Sequence, residues 1–235
     1  MDISPLSAKD YDAIVFFTGA GMSAESGVPT YHGKGGIWTE YRWEEFACEE
    51  AFRNDPAKVL EFHDLRRQAL APCTPHAGHR VVAALEDIHP QVTVVTQNID
   101  GMHQRAGSRN VLELHGSLWR MRCTQGCGVY PLEPGKTSST QCTCGTWLRP
   151  DIVWFGDMLN AEVADQATEA IRQCDLLVSV GTSGAVWPAA GFPRLARENS
   201  AHCVEVNPEA TEMSALYHET FRVPAGEVLP RLFPE

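Results

Sequence analysis

Four short polar loops in this chain each follow an apolar run, and they carry the residue types that grip phosphates, ribose and amides. Gly19-Ala20-Gly21-Met22-Ser23-Ala24 comes directly after Ala13-Ile14-Val15-Phe16-Phe17 and fits the G-x-G-x-x-G/A fingerprint. Glycines there allow a tight turn and let the backbone approach a pyrophosphate whose charge rests on a helix N-terminus; a plain tight turn is the alternative. A dehydrogenase of this type would place an acidic residue about 20 positions on, at the end of a second strand. That region reads Gly35-Gly36-Ile37-Trp38-Thr39-Glu40 with no strand before it, so a nucleotide would be held differently. Val92 to Val95 opens into Thr96-Gln97-Asn98-Ile99-Asp100, Leu176 to Val180 into Gly181-Thr182-Ser183-Gly184, and Val204-Glu205-Val206 into Asn207. Leu112-Glu113-Leu114 leads to His115-Gly116. The bland readings are an Asp helix cap in a polar loop and a structural histidine. Open α/β sheets bind ligands beyond the carboxyl ends of their strands, and four polar loops on one such edge point to one ligand site.

A second kind of chemistry is carried by Cys123-x3-Cys127 and Cys142-x-Cys144, separated by 14 residues. Four thiolates on two turns suit tetrahedral zinc, and a site with no open coordination position is structural. The spacings of three and one differ from the usual pair of C-x-x-C motifs, and buried reduced cysteines are the alternative. Cys48, Cys73, Cys174 and Cys203 are scattered, which fits a reducing compartment better than a disulfide framework.

The elements that must position these groups alternate along the chain. The apolar runs are nearly continuous, as in strands covered on both faces of a parallel sheet. Helical patterns such as Ala161 to Gln173 and Ala189 to Glu198 lie between them. The expected fold is α/β, a Rossmann-like doubly wound parallel sheet built from about 1–32, 75–118 and 150–235. Two segments interrupt it: a small helical module over about 33–74, with helices around Trp43 to Phe52 and Pro56 to Leu70, and a cysteine module over about 119–149. At 235 residues this suits one large domain with insertions. Hydrophobic residues at 43% and charged residues at 21% allow a sizeable core. With 19 Lys plus Arg against 30 Asp plus Glu, the net charge of -11 argues against general nucleic-acid or anionic-membrane binding. No apolar run approaches a membrane span, and Met1 to Asp12 lacks the pattern of a secretory signal. A cytoplasmic protein is expected, with a monomer as the expected state.

Taken together, Gly19 to Thr30, Thr96 to Asp100, His115-Gly116, the paired cysteines, Val153-Trp154-Phe155-Gly156 and Gly181-Thr182-Ser183 resemble the sirtuin family of NAD-dependent protein deacylases. The motifs stand in family order across almost the whole chain, and Val180 to Phe192 is most similar to compact bacterial sirtuins. The resemblance implies NAD as co-substrate and acylated lysine side chains of proteins as partners, meeting in a cleft between the core and the two modules. It also implies structural zinc on Cys123, Cys127, Cys142 and Cys144. Gly19, Ala20, Gly21, Ser23 and Ala24 would hold the NAD phosphates, with Tyr31 and Trp38 near the nicotinamide. Gln97, Asn98, Ile99 and Asp100 would orient the nicotinamide ribose and carboxamide. Gly181, Thr182, Ser183 and Asn207 would contact the adenosine half, and Ala225 would lie near the adenine. His115 would be the general base, with Asn98 and Asp100 beside it. In the family scheme the acyl oxygen attacks the anomeric carbon as nicotinamide leaves, and the base then activates a ribose hydroxyl. A neutral imidazole with an ordinary pKa of about 6.5 suits that task.

For the substrate side, Val153, Phe155, Gly156 and Val186 would pair with the peptide backbone as added strands, and Ala47 would leave room for the acyl chain. The family's usual Phe-Arg after the Pro-x segment is Tyr31-His32 here, which keeps an aromatic cover and loses an arginine. Sirtuins that prefer succinyl and malonyl lysine carry Tyr-x-x-Arg on a helix of the small module, and this chain has His63-Asp64-Leu65-Arg66. Residues three apart share a helix face, so His63 and Arg66 are expected to converge on one acyl carboxylate; a solvated charged face is the alternative. The expected activity is deacylation of acetyl- and succinyl- or malonyl-lysine. Mono-ADP-ribosyl transfer, or a zinc-stabilised NAD sensor without turnover, are the alternatives.

Overall fold

The computed structural model describes residues 3–31, 36–133 and 139–234. Nine strands lie among them: β1 (Ile14–Thr18), β2 (Val92–Thr96), β3 (Val111–Glu113), β4 (Gly116–Cys123), β5 (Val129–Pro131), β6 (Leu148–Ile152), β7 (Leu176–Val180), β8 (His202–Val206) and β9 (Glu219–Phe221). Six of them form one sheet in the order β3-β2-β1-β7-β8-β9, with every neighbouring pair parallel. This is the doubly wound order, in which the chain reverses direction across the sheet between β1 and β7. All five residues of β1 and of β7 are buried, which is why their sequences are continuously apolar instead of alternating.

The helices among the described residues are α1 (Ile37–Glu40), α2 (Trp43–Phe46), α3 (Glu49–Asn54), α4 (Pro56–Leu70), α5 (Ala77–Ile88), α6 (Met102–Ala106), α7 (Ala161–Gln173), α8 (Phe192–Glu198) and α9 (Ala225–Leu232), and four of them cover the two faces of this sheet. Val82 and Leu85 of α5 and Val228, Leu229 and Leu232 of α9 pack on one face with Phe16, Val94 and Val178. Ala167 and Ile171 of α7 and Phe192 and Ala196 of α8 pack on the other with Val15, Phe17 and Leu177. Two expected helices are broken. Trp43 to Phe52 divides at Ala47-Cys48, where Cys48 turns extended and its sulfur caps α3. Ala189 to Glu198 opens with a 3-10 turn because Pro193 starts the α-helix within its first turn.

A second sheet, β5-β4-β6, is antiparallel and carries the cysteine loops. A third core joins it to the helical module and to the loop after β2: Val59 and Leu60 of α4 and Phe52 of α3 meet Leu118, Met121 and Trp154, with Ile99 between them. Arg149, 4% exposed, pins this junction by donating to Glu49 at 2.9 Å, Asp157 at 2.7 Å and the Ile152 carbonyl at 3.1 Å, with its guanidinium 3.5 Å from the Trp154 ring. Among the described residues no helix is long and apolar enough to cross a membrane.

Candidate active site

The reversal point between β1 and β7 brings two glycine loops into contact. Gly19 N–H donates to the Val180 carbonyl and Gly21 N–H to the Gly181 carbonyl, each at 3.0 Å. A β-carbon on Gly21 would come within 2.7 Å of the Gly181 α-carbon, and Gly181 itself has φ of +60°. Both positions therefore require glycine for close backbone approach. Ala20–Ser26 is a 3-10 helix ended by Gly27 in the left-handed region, where the fingerprint suggested an α-helix. A cleft of about 270 Å³ opens beside it between Gly21, Ala24, Gly181, Val206 and Ala225. Four of the expected cofactor residues thus line one cleft at the carboxyl edge. Asn207 reaches the same edge and donates from Nδ2 to the Thr182 carbonyl at 2.8 Å, while Ser183 is exposed.

The loop after β2 is drawn inward by hydrogen bonds. Asn98 Nδ2 donates to the Gly19 carbonyl at 2.9 Å, and Asn98 N–H to Thr96 Oγ1 at 3.0 Å. Asp100, 4% exposed, accepts from Met102 N–H at 2.9 Å. Burial raises its pKa, and the hydrogen bonds from Met102 and Ser23 oppose the rise. Beneath lies a layer that sequence reasoning missed: Ser23 Oγ is 3.4 Å from His79 Nε2, and His103 Nε2 is 3.0 Å from Thr18 Oγ1. The His79 and His103 rings lie 5.0 Å apart. Burial pushes His79 down to about 2 and His103 down to about 3, so both are neutral supports. The signal available was their place on the apolar faces of α5 and α6, which marks buried histidines without saying what they hold.

His115 sits at the mouth of this layer. Its Nδ1 is 3.0 Å from the Gln97 carbonyl, which fixes the proton on Nδ1 and leaves Nε2 with a free lone pair. Burial holds its pKa below the usual value, with the Gln97 bond opposing. A neutral imidazole oriented in this way can take a proton from a bound hydroxyl.

On the substrate side Trp38, Trp43 and Phe62 of the helical module form an aromatic wall with Tyr31 and Phe155, with Trp43 and Phe155 centroids 4.6 Å apart. Ala47 is buried, and its carbonyl accepts from Phe155 N–H at 2.9 Å, so that N–H is already engaged within the chain. Val153 N–H likewise goes to the His115 carbonyl at 3.0 Å. Gly156 is exposed and Val186 half-buried.

His63 and Arg66 do not converge. His63 is 1% exposed, with Nε2 at 3.1 Å from the Phe46 carbonyl and 3.2 Å from Trp154 Nε1. Burial first, and then the charges of Arg66 and Arg67, hold it well below the usual histidine pKa. Spacing along α4 puts the two on adjacent stripes but does not give their depth, and His63 faces the core. Arg66 instead donates to the Tyr31 hydroxyl at 2.8 Å. His32 lies outside the described residues.

The four cysteine sulfurs of the β4–β6 module lie within 4.8 Å of one another, and Cys123 and Cys144 are 3.6 Å apart. Tetrahedral zinc with bonds of about 2.3 Å needs sulfurs about 3.8 Å apart, so the donor set fits. The Thr146 hydroxyl lies 3.1 Å from Cys144 Sγ and 3.3 Å from Cys123 Sγ, and the Tyr130 hydroxyl 3.3 Å from Cys142 Sγ; both can donate to thiolates.

A doubly wound sheet with a cysteine module, a glycine-lined cleft and an oriented histidine defines a nucleotide-using enzyme class, and comparison with known proteins specifies it. The Sir2 family matches residues 19–188. The chain is 46% identical to NAD-dependent protein deacylase 2 of Pyrobaculum aerophilum, covering 100% of this chain and 95% of that protein. It is similar in structure to a mutant Sir2 homologue in complex with ADP-ribose, with a TM-score of 0.91, 37% identity and coverage of 97% and 95% of the two chains. A Sir2 homologue in complex with NAD gives a TM-score of 0.88 at 36% identity, covering 99% of this chain and 94% of that one. This chain belongs to the Sir2 family.

Proposed function

We propose that this protein is an NAD-dependent protein-lysine deacylase whose acyl pocket accepts acyl groups ending in a carboxylate as well as acetyl groups. Its curated relatives are named NAD-dependent protein deacylases, and the site residues suit that reaction. The glycine loops hold the phosphates of NAD, and Asn98 and Asp100 orient its nicotinamide half. Bound NAD supplies an anomeric carbon that nicotinamide can leave and an acyl oxygen can attack. His115 Nε2 receives the proton of the ribose hydroxyl that takes over the acyl group. Trp38, Phe62 and Phe155 exclude water from the lysine side.

The observation that supports acidic acyl groups is Arg66. It is half-buried, and among the described residues no carboxylate pairs with it. With no carboxylate in contact, its N–H groups are open to the carboxylate of a succinyl or malonyl group. Guanidinium suits that partner through its planar fork of donors. Turnover of one lysine peptide carrying acetyl, malonyl or succinyl groups tests the reading. Arg66→Met should lower desuccinylation about 10-fold or more relative to deacetylation. Equal losses for both peptides would reduce Arg66 to a surface charge.

A further inference from the structure

The two oxygens of a carboxylate offer about four acceptor sites, and the Arg66 fork on α4 fills two of them, which leaves room for a further donor. The helical neighbour expected to supply it, His63, is withdrawn: its imidazole is 1% exposed, lies against Trp154 with ring centroids 5.9 Å apart, and has Nε2 within reach of both the Phe46 carbonyl and the Trp154 indole N–H, one of which it bonds in either tautomer. Moving it to the pocket would break those contacts and uncover a buried indole N–H.

A different side chain already touches the guanidinium. Tyr31 stands on the cofactor loop, where its carbonyl accepts from Trp38 N–H at 3.2 Å and its ring leans on Trp38 at 5.9 Å. The Arg66 guanidinium carbon lies 4.8 Å from the centroid of the Tyr31 ring and 6.0 Å from that of Phe62, and the Arg66 NH2 group donates to the Tyr31 oxygen at 2.8 Å. This bond uses the oxygen as acceptor. The hydroxyl proton remains to donate, and no acceptor for it occurs among the described residues. Through Trp38 and Phe62 the pair joins the aromatic wall of the substrate side.

We infer that Tyr31 and Arg66 together form the carboxylate-binding end of the acyl pocket, a tyrosine and an arginine drawn from two different elements, for acyl-lysines that end in a carboxylate. The inference rests on the acidic-acyl reading above. Tyr31 O–H donates to one carboxylate oxygen, an Arg66 N–H to the other, and the existing Arg66-to-Tyr31 bond orients the hydroxyl.

The test measures kcat/KM for acetyl and succinyl forms of one peptide at saturating NAD, in the wild type, Tyr31→Phe, Arg66→Met and the double variant. Phenylalanine is the family's usual residue at this place, and an unchanged melting temperature reports that each variant is folded. Effects on the cofactor loop are common to both peptides and cancel in their ratio. Tyr31→Phe should lower the succinyl-to-acetyl ratio about 10-fold or more, chiefly through KM for the succinyl peptide. The double variant should fall by less than the product of the two single losses, since removing Arg66 also frees the hydroxyl. An unchanged ratio in Tyr31→Phe beside a collapsed one in Arg66→Met would overturn the role of Tyr31 while leaving the acidic-acyl reading intact. A deacetylating wild type with no turnover of succinyl peptide would overturn both.

Discussion

At the scale of single residues, the proposed chemistry turns on which nitrogen of His115 is free. The Gln97 carbonyl holds the Nδ1 proton and so exposes the Nε2 lone pair. Removing a general base costs about 100- to 10,000-fold in rate, so His115→Ala should lose deacylation by that order while still binding NAD in calorimetry. Burial lowers the His115 pKa. In the wild type, kcat/KM should therefore be flat at neutral pH and fall only as acid protonates Nε2, with a midpoint below about 6.5. A midpoint above that value would assign the base to another group. His115 stood out as a candidate because it ends an apolar run beside a glycine, and its proposed role as base is what the sirtuin resemblance implied. The place of His63 was not legible, since helical spacing gives direction around α4 but not how deep Trp154 and Phe46 bury a side chain. Arg149 also escaped notice, because only the folded junction brings Glu49 and Asp157 to it.

At the scale of elements, the buried strands announced themselves. β7 and the helices α4 and α7 have the limits that the sequence suggested, because continuous apolar runs and an uninterrupted helical period leave little choice of ends. β9 is three residues on the sheet edge, too short and too exposed to carry a pattern. The cysteine module was legible as a thiol cluster but not as a sheet, since β4 and β6 pair across 24 intervening residues, Thr124 to Trp147. Its stability is expected to come from the metal, because a short three-stranded sheet has little core of its own. Cys142→Ser should lower zinc content and melting temperature together, measured by metal analysis and calorimetry on one preparation. A metal-free protein with an unchanged melting temperature would remove zinc from the account.

At the scale of the whole molecule, three cores meet around the ligand edge, and buried histidines link that edge to global stability. The unfolded chain protonates His79 and His103 below about pH 6.5, whereas the folded chain holds them neutral to about 2 and about 3. The unfolded state thus binds more protons between those limits, and stability present above about pH 6.5 is lost as the pH falls toward about 3. Zinc release adds to any acid unfolding, so the comparison is between wild type and His103→Gln at each pH; the variant should show the shallower fall in melting temperature. The claim that binds all three scales is that the cleft breaks NAD only when an acylated lysine is there to receive it. Nicotinamide release, followed with acetylated, succinylated and unmodified forms of one peptide, measures this directly. The account predicts release with the acylated peptides, matched one for one by O-acyl-ADP-ribose, and essentially none with the unmodified peptide. Equal release without an acyl group, or NAD binding with no release on any peptide, would contradict it.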